Sequence, residues 1–140
     1  MSEVLAGAVS GVLFLLSGVH LYWLFGGRMG HGAVIPSTEQ GPLFRPRPLS
    51  VAVVAALLAF AAWLALELGG SIRLLYSDPL LTWGGWLLSV VFILRGLGDW
   101  KWVGVFKRKK GTPFAKWDSM VYSPLCLLLG GALFALMRMR

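Results

Sequence analysis

Four long apolar stretches dominate this chain of 140 residues and are separated by shorter polar connections. They lie at about 4–25, 50–68, 80–97 and 119–137. An α-helix rises about 1.5 Å per residue and the hydrocarbon core of a bilayer is about 30 Å thick, so about 20 apolar residues make one crossing. The sequence therefore predicts an all-α, four-helix transmembrane bundle that occupies residues 1–140 as a single integral membrane domain.

The composition agrees with this interpretation. Hydrophobic residues make up 57% of the chain and charged residues 14%, with a mean hydropathy of +0.74. Soluble domains use about 45–50% apolar residues. Four crossings also leave too few residues for a separate extramembrane domain. An ordinary soluble protein is therefore excluded.

Basic residues are concentrated in one connection. Residues 98–118 contain six of the 13 lysines and arginines, namely Lys101, Lys107, Arg108, Lys109, Lys110 and Lys116. A nucleic-acid-binding protein needs its basic groups on a folded, water-exposed surface with readout elements, whereas these groups lie in a membrane loop. We therefore expect anionic membrane lipids as partners and no nucleic acid.

The distribution of charge also predicts the orientation. Lysine and arginine near the ends of spans are retained on the cytoplasmic side. The first connection carries Arg28, Arg45 and Arg47, and it lies on the same side as the basic third connection because an even number of crossings separates them. We expect two long cytoplasmic connections and both termini external, in a multi-pass protein of the bacterial plasma (inner) membrane.

Small residues predict where helices approach each other. Gly7, Gly11 and Gly18 fall on one stripe of the first span. Such stripes let helix backbones come close in a membrane, where lipid provides no hydrophobic driving force for association. We interpret the stripe as packing within the bundle, and a dimer face for a homo-oligomer is the alternative.

Several polar residues are predicted to converge at one depth, just inside the cytoplasmic interface. The candidate ligand-binding residues are His20, Arg95, Asp99, Lys107, Lys116, Asp118 and Tyr122. Ionisable groups within a span are costly, so they usually face the bundle interior and pair. This convergence is the most function-like pattern in the chain.

Each of these residues also has a purely structural interpretation. Arg95 and Asp99 have the spacing of a helical ion pair, which would neutralise the end of the third span. His20 could donate to a backbone carbonyl or to Tyr122. Asp118 precedes the fourth apolar run, as an N-cap does. The sequence does not decide between the functional and the structural interpretation.

Pro124 lies about six residues into the fourth span. Proline removes a backbone donor, so we expect a kink there and a Met120 carbonyl without its usual partner. Cys126, one turn deeper, is interpreted as buried packing because no neighbouring base is identifiable.

The chain contains no recognised catalytic or cofactor-binding motif. Walker A, His-Glu-x-x-His, Gly-x-Ser-x-Gly and Cys-x-x-Cys patterns are all absent. One cysteine and two histidines make a poor metal site. We predict no metal and no cofactor, and catalytic residues remain unknown.

Five segments carry a resemblance to a known family. They are Ser17 to Trp23, Arg95 to Trp100, Val103 to Lys107, Phe114 to Asp118 and Tyr122 to Cys126. Together they resemble a domain-of-unknown-function family of small bacterial membrane proteins with four predicted helices. The resemblance implies a bacterial plasma-membrane location and a four-helix architecture, and it implies no catalytic role for any residue.

The leading functional hypothesis is a binding protein. Arg95, Lys107 and Lys116 would contact an anionic lipid headgroup or small anionic ligand, and His20, Asp99, Asp118 and Tyr122 would line the pocket. A second hypothesis is a membrane enzyme that acts on a lipid-linked substrate, with His20 as general base and Arg95 stabilising negative charge. A third is a small transporter, and a fourth is a structural subunit whose membrane partner contacts the third connection.

Overall fold

The computed structural model describes residues 1–74 and 78–140, and this part of the chain is mainly helical. The helices are α1 (Ser2–Leu24), α2 (His31–Val34), α3 (Pro48–Gly69), α4 (Asp78–Leu97), α5 (Pro113–Trp117) and α6 (Ser123–Met139), with a π-helical turn at Asp118–Tyr122. A short antiparallel hairpin, β1 (Ser37–Thr38) and β2 (Gly41–Pro42), lies in the first connection and pairs Ser37 with Pro42. The predicted all-α class is confirmed.

Four helices are long and apolar enough to cross a membrane. They are α1, α3, α4 and the continuous helix Pro113–Met139, which joins α5, the π-helical turn and α6. Their most apolar windows have mean hydropathies between 1.6 and 2.5. The prediction of four membrane-length helices is therefore confirmed, although the fourth begins at Pro113 and not near residue 119.

The bundle is built from two helix pairs, α1 with α3 and α4 with α6. Small residues allow the close approach within each pair. A Cβ added at Gly69 would overlap the Cβ of Ala6, and one added at Gly130 would lie 3.0 Å from the Ile93 nitrogen. Leucines from different helices fill the centre, among them the fully buried Leu13 and Leu133. The core therefore combines close backbone contact with branched apolar side chains.

Two buried serines add a hydrogen bond to each helix pair. Ser17 donates to the Ala55 carbonyl at 2.7 Å, which joins α1 to α3. Ser89 donates to the Gly130 carbonyl at 2.9 Å, which joins α4 to α6. Hydrogen bonds between helices in an apolar environment contribute about 0.6 kcal/mol each on average.

The glycine stripe of the first span does not pack within the bundle, so that prediction was wrong. A Cβ added at Gly7, Gly11 or Gly18 would meet no described atom within 4 Å. The buried face of α1 is instead formed by Ala6, Val9, Ser10, Leu13 and Ser17. Both faces of this helix carry small residues, so residue size alone could not identify the buried one.

A π-helical turn lies immediately before Pro124, the position where the sequence predicts a kink. The Ser123 amide donates to the Asp118 carbonyl, five residues earlier, immediately before the proline. Because proline cannot donate to the preceding turn, a local widening of the helix accommodates it. The widening also places Asp118 and Tyr122 in the only π-helical segment of the described residues.

Candidate functional site

A buried carboxylate organises the start of the fourth long helix. The Asp118 side chain is fully buried, with 0% of its surface exposed. Its Oδ1 accepts from Arg95 Nη2 at 3.0 Å, and its Oδ2 accepts from Lys107 Nζ at 3.0 Å and from the Gly104 amide at 2.8 Å. Both carboxylate oxygens are therefore engaged by cationic or amide donors.

Lys107 is equally buried and fully bonded. Its ammonium group donates to the Gly104 carbonyl at 3.0 Å, to Asp118 Oδ2 at 3.0 Å and to Ser119 Oγ at 2.6 Å. A lysine ammonium has three donors, so all of them are used. Lys107 therefore holds the third connection against the fourth helix and has no donor left for an external ligand.

Two glycines allow the third connection to reach Asp118. Gly98 and Gly104 have φ values of +86° and +93°, a conformation that favours glycine. A Cβ at Gly98 would overlap the Val103 carbonyl, and a Cβ at Gly104 would overlap the Leu97 carbonyl. The connection folds back on the end of α4, and this close packing aims the Gly104 amide at Asp118.

Asp99 stabilises the same turn from within. Its Oδ1 accepts from the amides of Lys101 at 3.0 Å, Trp102 at 2.7 Å and Val103 at 3.0 Å. These bonds, the Val103 bond first, hold the pKa of the Asp99 carboxyl below its usual range, and desolvation opposes them. Asp99 therefore acts as a local anchor of the loop.

The structural interpretations of Arg95 and Asp118 were wrong in detail. Arg95 pairs with Asp118 and not with Asp99, because Asp99 lies beyond the end of α4 after the left-handed Gly98. Asp118 is not an N-cap either. The fourth long helix begins five residues earlier, where Thr112 Oγ1 accepts from the Ala115 amide at 3.1 Å.

The triad of Arg95, Lys107 and Asp118 carries two positive charges and one negative charge, hence one excess positive charge. Lys107 is enclosed, but the Arg95 side chain remains 35% exposed. Its Nη1 is a buried atom and has no hydrogen-bond partner among residues 1–74 and 78–140. One nitrogen of the guanidinium group therefore lacks an acceptor, although this nitrogen does not itself lie at the surface.

The other predicted site residues lie elsewhere. His20 lines a separate cavity with Trp23 and His31, and its Nδ1 lies 2.8 Å from the Leu16 carbonyl. Tyr122 donates to the Ala33 carbonyl at 3.1 Å and ties the π-helical turn to α2, so a hydrogen bond between His20 and Tyr122 is not formed.

Lys116 is exposed and lines an open groove with Lys110 and Trp117. The structure thus brings together Arg95, Lys107 and Asp118 from the seven predicted residues, and the single predicted pocket is not formed. A role of any of the seven in ligand binding stays a prediction.

Sequence reasoning missed Gly104 and Ser119, which complete the bonding of Asp118 and Lys107. Ser119 directly follows Asp118, yet an adjacent serine is too common to identify a ligand of a lysine. The pair Gly98 and Gly104 was the available signal, since glycines near a helix end often mark left-handed turns.

The remaining cations of the third connection form an exposed surface, which we call the basic loop surface. It consists of Lys101, Arg108, Lys109, Lys110 and Lys116. Exposed aromatic rings accompany it, including Trp100 stacked on Phe106 with a centroid distance of 5.0 Å. Interleaved aromatic and basic side chains are typical of a membrane–water interface.

The four membrane-length helices and the interfacial connection define a multi-pass integral membrane protein. Residues 13–133 match the family described as "Protein of unknown function (DUF3995)", so the chain belongs to that family. The match extends from the middle of α1 into α6 and includes the Arg95, Lys107 and Asp118 triad. The resemblance to a domain-of-unknown-function family is confirmed. No curated protein and no solved structure matches the chain.

Proposed function

We propose that this membrane protein binds anionic lipid headgroups at the basic loop surface, with Arg95 as the residue that selects phosphate. The observation that carries the proposal is the excess positive charge of the triad together with Arg95 Nη1, a buried donor without a hydrogen-bond partner among the described residues. A guanidinium group presents several donors in a planar fork that matches phosphate oxygens. Asp118 accepts from Nη2. A phosphate oxygen would accept from the buried Nη1 after the groups that cover this nitrogen move aside.

The basic loop surface and Arg95 contribute differently to binding, because their interactions with an anionic lipid differ in free energy and in geometric selectivity. Each exposed lysine or arginine near an anionic surface contributes about 1 kcal/mol of attraction, which depends on salt and carries little geometric selectivity. A hydrogen bond to a charged group contributes about 1.5–3 kcal/mol and requires a fixed geometry. The basic loop surface therefore attracts the anionic leaflet, and Arg95 distinguishes a headgroup phosphate from diffuse charge.

Lys107 and Asp118 act in this proposal as positioning residues and do not contact the lipid. Their fully buried pair fixes the distance between the third connection and the fourth helix. Asp118 also fixes one nitrogen of the Arg95 guanidinium, which orients the other. Asp99 contributes by ordering the turn that carries Trp100 and Lys101.

The proposal includes the orientation and the membrane. The first and third connections would face the cytoplasm of a bacterial cell, in the plasma membrane, with both termini outside, because basic connections are retained inside. A Lys109→Cys label site in a Cys126→Ala background tests the orientation. We expect a membrane-impermeant maleimide to react only after permeabilisation, and reaction in intact cells would contradict it.

Lipid retained through purification tests the binding itself. We expect the wild-type protein to retain phosphatidylglycerol and Arg95→Gln to retain about tenfold less, since a charged hydrogen bond is lost. Arg45→Gln, which removes an exposed charge from the first connection, is the matched control and should retain the wild-type amount. Equal phosphatidylglycerol in the Arg95 and Arg45 variants would contradict the proposal.

The geometry gives less support to an enzyme built on His20 and Arg95. The His20 cavity contains neither Arg95 nor Asp118, and no carboxylate lines it within the described ranges. His20 instead has its hydrogen bond to the Leu16 carbonyl and an edge contact with Trp23. A general base and an electrostatic stabiliser must meet at one reacting group, which these positions do not provide.

A further inference from the structure

The cavity that His20 lines is formed by α1, α2, α3 and the first connection. Its volume is about 280 Å³, and its lining includes His20, Trp23, His31, Phe44, Val51 and Val54. None of its lining residues belongs to the Arg95, Lys107 and Asp118 triad. Within the described residues, no lysine or arginine lines it. The cavity is therefore chemically different from the proposed headgroup site.

The His20 ring offers a hydrogen-bond acceptor to this cavity. Its Nδ1 is 2.8 Å from the Leu16 carbonyl, and a carbonyl oxygen can only accept. The neutral ring therefore carries its proton on Nδ1, which leaves the lone pair on Nε2. A ligand that satisfies this nitrogen has to bring a donor.

Trp23 provides an aromatic wall beside that acceptor. The Trp23 ring makes T-shaped contacts with His20, at a centroid distance of 5.1 Å, and with His31, at 6.3 Å. The indole N–H is already committed to the Met29 carbonyl at 2.9 Å. Trp23 therefore presents its ring surface to the cavity and not a donor, which favours a flat apolar or aromatic ligand.

The size of the cavity suits a single ring. An apolar cavity of about 150 Å³ holds benzene, so a cavity of about 280 Å³ accommodates one substituted ring. Two residues on its wall are exposed, Phe44 in the first connection and Val54 on α3. We expect a ligand dissolved in the bilayer to enter the cavity beside Val54.

We propose that this cavity binds the hydroxylated single ring of a lipid-soluble hydroquinone, with a ring hydroxyl donating to His20 Nε2 and the ring packed on Trp23. The chemistry of the lining carries this assignment. An anionic headgroup would meet an acceptor lone pair without a lysine or arginine, and an acyl chain would offer no donor to Nε2. The site does not depend on the proposed lipid-headgroup function.

Calorimetric titration of the detergent-solubilised protein under anaerobic conditions tests this site. The probes are a decyl-substituted benzohydroquinone and its dimethyl ether, which has the same ring and tail without donors. We expect the hydroquinone to bind about fivefold or more tightly than the ether, as one hydrogen bond predicts. Empty micelles measure partition into detergent.

Three variants locate the site. His20→Asn retains a donor for the Leu16 carbonyl but is too short to replace Nε2, so the preference for the hydroquinone should disappear. His20→Gln places a carbonyl oxygen nearer to the Nε2 position and should restore part of it. Val54→Trp fills the cavity without changing His20 and should abolish binding of both probes.

Equal affinity for the hydroquinone and the ether would overturn the proposal, because it would show an apolar slot only. Hydroquinone preference that persists in His20→Asn would also overturn it, as would no binding above that of empty micelles. Helical circular dichroism of each variant separates loss of the site from loss of the fold.

Discussion

Lys107 and Asp118, eleven positions apart in the chain, form an ion pair of 3.0 Å in which both side chains are fully buried. Burying two charges is costly, and good geometry with additional hydrogen bonds offsets much of this penalty. Here the Gly104 amide and carbonyl and the Ser119 hydroxyl provide those bonds. The pair therefore fixes the basic third connection onto the fourth helix.

Asp118→Asn should destabilise the protein strongly. The substitution leaves Lys107 buried without its counter-charge, and breaking a buried pair costs about 3–5 kcal/mol. Asp78→Asn is the control, because Asp78 pairs with Arg140 at an exposed position, where an ion pair contributes about 0–1 kcal/mol. Reversible unfolding in mixed detergent micelles measures both. A loss below 1 kcal/mol for Asp118→Asn would contradict the structural role of the pair.

Gly104→Ala should disrupt the connection more than Gly111→Ala. Both glycines have left-handed φ values, +93° and +90°, which cost an alanine about 1–2 kcal/mol. Only Gly104 packs against backbone, so its alanine variant should lose about 3 kcal/mol or more in the free energy of unfolding. Equal losses in the two variants would show that the close approach to Leu97 contributes nothing.

The turn around Asp99 should lose stability only at low pH. Its folded pKa is lowered by the amides of Val103, Trp102 and Lys101, so the stabilisation is complete above the unfolded value and is lost as pH falls through the folded value. We expect unchanged protease resistance of this loop from pH 7 to 5 and a decline below about pH 3.9, the usual unfolded value.

Asp99→Asn is the control for that titration. Its amide oxygen still accepts from the backbone but does not titrate, so this carboxyl's contribution to the acid decline should vanish. A decline that begins above pH 5, or one that is identical in the variant, would assign the effect to another group.

Two adjacent glycines of α6, Gly130 and Gly131, differ in their surroundings: one packs against α4 and the other does not. Gly130 faces Ser89 and Ile93 of α4, whereas a Cβ at Gly131 meets no described atom within 4 Å. Gly130→Leu should therefore lower the free energy of unfolding by about 2–3 kcal/mol through overpacking, and Gly131→Leu by less than about 0.5 kcal/mol. The same unfolding assay checks this pair. Equal effects would place the α4–α6 contact elsewhere.

The helices could be predicted because their cause is local. Each apolar run is long enough to span a bilayer, and a span must satisfy its own backbone as a helix. The packed face of α1 could not be predicted, because Ala6 and Ser10 are about as small as Gly7 and Gly11. The positions of α3 and α6 decide which of them is buried.

The sequence predicted residues of the site, but it did not predict how they pair. The cost of ions within a span correctly draws attention to Arg95 and Asp118. Their pairing depends on the left-handed turn at Gly98, which redirects the chain so that Asp99 binds its own loop. The sequence predicts a similar depth for His20, yet His20 lines a cavity together with residues of α2 and α3. Depth along a helix does not determine the face.

Affinity for a soluble short-chain phosphatidylglycerol, compared between the wild type and Arg95→Lys, tests the central claim most directly. Lysine keeps the charge and can still pair with Asp118, but it lacks the second, unpartnered guanidinium nitrogen of Arg95. We predict about tenfold weaker binding by the lysine variant, with unchanged binding of the phosphatidylcholine analogue. Equal phosphatidylglycerol affinity in the two proteins would contradict the claim that Arg95 selects the headgroup phosphate.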